Sequence, residues 1–205
     1  MRPSIRGAVL IVALLAGAAR QSVAQETGTP IFKAPYRAFT AHELGVAFSD
    51  PGEGVSLALE GSYAFASGPY DFSIRGGIED LNGDAGTRGL LGGGFRTRVL
   101  NYTESFPLDG ALTLGFGTNF GDGDDFFYLP IGFSLGRRFD VEGSKTSFTP
   151  YAHPVVIPRF GGGDSQLDFA LGLGVDVKFN RNLAVRVSGG IGDLDGVGIG
   201  LTYLR

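Results

Sequence analysis

Beyond residue 39, apolar side chains recur at every second position along most of the chain. The clearest run places Leu167, Phe169, Leu171, Leu173, Val175, Val177 and Phe179 on one parity, with Asp168, Ala170, Gly172, Gly174, Asp176 and Lys178 on the other. A period of two puts successive side chains on opposite faces of an extended strand. The same alternation runs through 197–203 and 127–135 and, with glycine interrupting some apolar faces, through 55–65, 70–78, 112–116 and 183–187. Residues 90–100 alternate less regularly, with Leu91, Phe95 and Val99 opposite Arg96 and Arg98. Two weaker candidates, 40–48 and 148–157, bring the expected number of strands to ten. The second of these carries Pro150, Pro154 and Pro158, each of which removes a ladder donor. It reads either as a strand with lost donors or as an irregular crossing, and eight strands is the alternative if neither weak candidate crosses regularly. Nothing comparable recurs at three and four residues. Short Gly/Asp/Asn/Pro clusters, such as 49–52, 67–69, 121–124, 161–164 and 193–196, divide the strands.

The face opposite the apolar one decides the architecture. A soluble sandwich also buries one face and wets the other. Here the second face is mostly Gly, Ala, Ser and Thr, punctuated by Glu43, Glu60, Asp71, Arg75, Arg96, Arg98, Asp168, Asp176, Lys178 and Arg186. Small side chains suit the interior of a narrow barrel, where opposite charges can satisfy one another, and a broad aromatic and aliphatic outer face suits lipid. The pattern predicts an all-β fold: a single antiparallel up-and-down transmembrane β-barrel over residues 39–205, with the charged residues as lumen-lining candidates. Closure matters because an open sheet edge in hydrocarbon would leave backbone groups unsatisfied. An even strand count returns both ends to one side, expected to be periplasmic, with turns near 66–69, 101–109, 137–146 and 179–181.

The first 24 residues read differently. Arg2 and Arg6 precede an apolar run over 8–19 and then Ser22-Val23-Ala24, the layout of a cleavable signal peptide. The apolar run is too short to span a bilayer, which takes about 20 residues. Cleavage after Ala24 would remove Arg2, Arg6 and Arg20 but no acid, leaving 14 basic against 21 acidic residues. Such an acidic, exported chain is a poor nucleic-acid binder. There is no Cys, hence no disulfide and no thiolate chemistry, and 35 Gly without a collagen-like period. Residues 25–38, with Pro30 and Pro35, read as a periplasmic lead-in segment or partial plug rather than a domain.

Candidate chemistry is sparse. His42 and His153 are the only histidines and have no metal-ligand spacing between them. No sequence context positions a nucleophile as catalysis requires, so no catalytic residue and no cofactor is expected. Asp122, Asp124 and Asp125 form the best acidic cluster and are weak metal candidates, but they lack full calcium-loop spacing. Residues 75–83 and 188–196 match at six of nine positions and read as equivalent strand-to-loop exits.

With its leader, its Gly-aromatic alternation and a last strand running to the terminus, the chain resembles the small bacterial outer-membrane β-barrel superfamily, the porin-like, OmpX-like and OmpW-like group. The resemblance covers residues 39–205 and contains no invariant site motif. Many members end in an aromatic residue recognised by the barrel-assembly machinery; this chain has Tyr203 on its outward parity but ends in Arg205. The resemblance implies an outer-membrane location, contact with membrane lipid and lipopolysaccharide, passage through the assembly machinery and a monomeric barrel. Since a barrel of eight to ten strands has limited internal room, the expected role is structural or surface-interacting. A narrow porin-like channel for ions or small polar solutes is the alternative.

Overall fold

The computed structural model describes residues 26–52, 54–83 and 85–205, so the leader expected over 1–24 lies outside the described residues. Ten antiparallel strands form one closed sheet. They are β1 (His42–Asp50), β2 (Val55–Ser67), β3 (Tyr70–Leu81), β4 (Thr87–Leu100) and β5 (Asp109–Gly121), then β6 in three pieces (Phe126–Tyr128, Ile131–Gly136 and Phe139–Asp140), β7 (Ser147–Gly161), β8 (Asp164–Lys178), β9 (Leu183–Gly192) and β10 (Gly196–Leu204). Each strand pairs with its sequence neighbours, and β1 pairs with β10 from Glu43↔Leu204 to Asp50↔Val197, which closes the ring. Beyond that ladder the carbonyl of Arg205 accepts the amides of Thr40, Ala41 and His42, so both ends of the barrel sit at one rim. This is called the terminal rim below; turns at 51–54, 82–86, 122–125, 162–163 and 193–195 form the opposite rim.

Parity sorts inside from outside as the alternation requires. Ile74, Leu114, Leu171, Val197 and Leu201 point outward and are exposed, Val197 at 62%. On the other parity lie Glu60, Arg75, Arg96, Asp168, Asp176 and Arg186, all buried. The molecule is therefore inverted relative to a soluble β-protein: polar within, apolar without. Near the terminal rim the outer face carries a run of contacting rings, in which His42, Tyr63, Phe65, Phe72 and Phe95 each touch the next at 5.4–6.2 Å between centroids. Phe65↔Phe72 and Phe72↔Phe95 are cross-strand partners, and Tyr63 and Phe65 stand two apart on one face of β2.

The segment with three prolines is a complete crossing. β7 pairs with β8 at fifteen successive positions, from Asp164↔Gly161 to Lys178↔Ser147. Pro150, Pro154 and Pro158 share one parity, so their missing donors all face the same neighbour. The carbonyls of Pro158 and Pro150 accept from the amides of Leu129 and Arg137, which identifies that neighbour as β6. β6 is the strand that is broken, and the β6–β7 ladder skips the positions around Pro154. Prolines thus cost this barrel hydrogen bonds on one seam while leaving the β7–β8 seam whole.

This asymmetry makes a prediction. Pro154→Val should leave the barrel folded, whereas Val155→Pro removes a donor from the intact β7–β8 seam. In hydrocarbon each unsatisfied backbone group costs several kcal/mol. Heat-modifiable mobility on detergent gels should therefore survive the first substitution and be largely lost with the second.

Candidate functional site

Among the described residues, buried polar groups concentrate in the lumen, and residues 26–39 of the same chain occupy it. Ile31, Phe32 and Ala34 are at most 2% exposed, as deeply buried as any residue of the wall. This segment enters at the terminal rim, where Phe39 packs with Ala184 and Leu204, and hooks back inside the barrel. At its tip Thr27 and Thr29 donate to the two carboxylate oxygens of Glu60, each at 2.5 Å. Lys33 pairs with Glu26 and donates to Ser73 at 2.7 Å, which holds the hook in shape.

Main-chain groups of the segment are satisfied by the wall, as burial demands. Ser188 donates to the Pro30 carbonyl and accepts from the Phe32 amide. Tyr151 donates to the Phe32 carbonyl at 3.0 Å, Ser134 to that of Lys33, Arg96 to that of Ala34 and Lys178 to that of Ala38. At the mouth Tyr36 donates to Asp109, and burial together with that carboxylate pushes the Tyr36 phenol above its ordinary range. Arg37 reaches Asp71 at 3.0 Å.

Glycines in the wall make the room. A side-chain carbon at Gly117 would sit 1.3 Å from the Glu26 carbonyl oxygen, and one at Gly172 would sit 2.1 Å from the Phe32 ring. Phe32 also meets His153 edge-on, with 5.9 Å between ring centroids. Among the described residues, a small cavity of about 20 Å³ lies between Lys33, Glu43, Asp71, Arg96 and Arg186, about the room of one water molecule. A wider vestibule of about 360 Å³ opens at the terminal rim between Tyr36, Arg37, Arg98 and Asn101.

The charged wall residues form separate pairs rather than one converging site. Arg186 makes two 3.0 Å bonds to Asp176 and lies 3.7 Å from Glu43. Arg96 holds Asp71 at 2.7–2.8 Å, Arg75 stands 3.9 Å from Glu60, and Asp168 is 3.3 Å from Arg159. Arg98 is half exposed at the mouth, 3.8 Å from Asp109. Two of these pairs, Asp71↔Arg96 and Asp176↔Arg186, lie directly across from one another in register.

Sequence reading missed several members of this set. Glu79 and Arg88 form a further direct cross-strand pair, and Arg159 and Asp109 are also buried. All four continue the inward parity of strands whose ends run further than the alternation suggested. Glu26 and Lys33 carry no strand parity, so nothing local in the sequence marked them.

Both histidines and two of the three loop aspartates make local hydrogen bonds. His153 bonds Thr113 at 2.8 Å inside the lumen, and His42 bonds Tyr63 on the outer face. Asp122 accepts the Thr87 amide of the neighbouring hairpin, and Asp125 accepts that of Gly121. Asp122 thus ties its turn to the next hairpin while Asp125 closes that turn itself, and no group of three or more metal-ligating side chains is gathered among the described residues.

No family model matches the chain, and no curated protein matches it. Among solved structures it is similar to a de novo designed transmembrane β-barrel, at 17% identity and a TM-score of 0.39 over 84% of this chain and 98% of that one. It is also similar to the β domain of the Bordetella autotransporter BrkA, at 14% identity and a TM-score of 0.46 over 81% of this chain and all of that one. Neither likeness extends to function.

The seating of residues 26–39 is directly testable, because the chain has no cysteine of its own. Ala34→Cys should resist a water-soluble maleimide in the folded barrel. Adding Gly172→Val overfills the space taken by Phe32, and overpacking costs about 1–3 kcal/mol. Labelling should then rise about tenfold or more, since ~1.4 kcal/mol is a factor of ten.

Proposed function

We propose that the chain spans the outer membrane of a bacterium as a sealed, non-catalytic barrel that stabilises the envelope. The observation that carries this reading is the filled lumen: residues 26–39 and the paired charges around them occupy the space through which a solute would pass. The apolar outer face and its aromatic girdle support the membrane placement, since aromatic rings favour the interface between hydrocarbon and water. The turns of the opposite rim hold two to five residues each, too little for a lid or a large adhesive loop. The carboxylates of these turns, Asp122, Asp124, Asp193 and Asp195, together with Asp80 at the end of β3, suit divalent-cation bridges to lipopolysaccharide phosphates, a diffuse attraction rather than a dedicated cage.

A narrow passive channel for ions or small polar solutes is the second reading. It would require residues 26–39 to leave, exposing Arg75, Arg96, Asp71 and Asp176 to a water-filled path. Planar bilayers separate the two readings. The intact mature barrel should add no conductance, whereas a variant lacking residues 26–38 should give reproducible channels whose ion preference shifts with Arg96→Ala. Reproducible channels from the intact barrel would overturn the sealed reading.

A further inference from the structure

At the terminal rim, two turns from different hairpins are tied together and leave a groove between them. Thr146 donates to the Phe179 carbonyl at 3.4 Å, which joins the turns, and Asn182 anchors the second turn to β10 by donating through its side chain to the Leu204 carbonyl at 3.0 Å. The groove, about 430 Å³ in volume, is lined by Lys145, Asn180, Arg181, Asn182, Leu183 and Tyr203. No carboxylate lines it. Among the described residues neither Lys145 nor Arg181 makes an ion pair, unlike Arg138 on the same rim, which pairs with Asp140 at 2.9 Å. Asn180 commits its side-chain oxygen to the amides of Asn182 and Leu183, so its NH2 group remains as a donor. Leu183 and Tyr203 are cross-strand partners on the outward face, and Tyr203 is 54% exposed. The apolar side of the groove is therefore continuous with the surface that faces lipid.

Two unpaired cations and amide donors stand above an apolar wall that runs into the hydrocarbon-facing band. That arrangement complements a single ligand chemistry, a phosphodiester carrying acyl chains. We infer that this groove binds one anionic glycerophospholipid of the adjacent leaflet, with Lys145 and Arg181 on the phosphate and the acyl chains along Leu183 and Tyr203. Charge decides against a zwitterionic lipid, because a choline or ethanolamine cation would meet Lys145 and Arg181 with no carboxylate to receive it. The two rims differ in the same sense: turns 51–54, 82–86, 122–125, 162–163 and 193–195 contain no Lys or Arg.

The inference rests on the barrel being embedded in a bilayer, and the test separates the two. The mature barrel is reconstituted in nanodiscs of phosphatidylcholine containing a minor fraction of phosphatidylglycerol, and the lipid retained after detergent transfer is counted by native mass spectrometry. The wild-type barrel should retain one phosphatidylglycerol in preference to phosphatidylcholine. The double variant Lys145→Gln, Arg181→Gln should bind it about thirtyfold more weakly, which corresponds to about 2 kcal/mol for two basic groups at an anionic surface. Arg138→Gln, on the same rim but outside the groove, should retain the lipid as the wild type does. Equal retention by the wild type and the double variant would overturn the inference, as would an equal loss in Arg138→Gln. Failure of the wild-type barrel to enter nanodiscs at all would instead overturn its membrane placement. Heat-modifiable mobility of each variant identifies one that has merely failed to fold.

Discussion

The hydrogen-bonded seam between β1 and β10 governs the rest of the molecule, because it turns a sheet into a ring. Once Glu43–Asp50 is laddered to Val197–Leu204, no edge strand remains and every residue must point either inward or outward. The outward set is free to be apolar, since outside the proline-bearing β6–β7 seam the ladders leave little of its backbone for water to satisfy. The inward set inherits the opposite problem, a narrow space from which most water is excluded.

Charges in that space survive by pairing. A buried ion whose partner is removed costs about 3–5 kcal/mol, and most of the lumen's arginines stand within ion-pair distance of a carboxylate on a neighbouring strand. Register supplies the partners: Asp71 faces Arg96, Glu79 faces Arg88 and Asp176 faces Arg186. Arg96 then does a second job. Besides holding Asp71 it donates to the Ala34 carbonyl at 2.6 Å, so the segment in the lumen is attached to the wall's own electrostatics. Such attachment couples plug and barrel.

Glycine is the geometric counterpart of this pairing. Its density would weaken an ordinary strand, since it has no side chain to pack. At Gly117 and Gly172 the missing side chain is occupied by another part of the same chain, the Glu26 carbonyl and the Phe32 ring. The wall is thin where the hook is thick, which is how one ring of ten strands accommodates fourteen further residues.

Much of this was legible without coordinates. A period of two needs only local sequence, so the ten crossings, the inward placement of Glu43, Glu60, Asp71, Arg75, Arg96, Asp168, Asp176 and Arg186, and the outward apolar face could all be read from parity. Strand ends could not, because pairing carries β3, β4, β5 and β7 past the point where the alternation fades, and Glu79, Arg88, Asp109 and Arg159 were missed there. The fate of the three prolines depended on which neighbour their missing donors face, a property of strand order around the ring. The position of residues 26–39 depended on hydrogen bonds to residues 31 to 158 positions away, such as Glu60 and Ser188. Alternation records which side of the sheet a residue faces; what stands opposite it across a closed lumen is fixed only when the ring shuts.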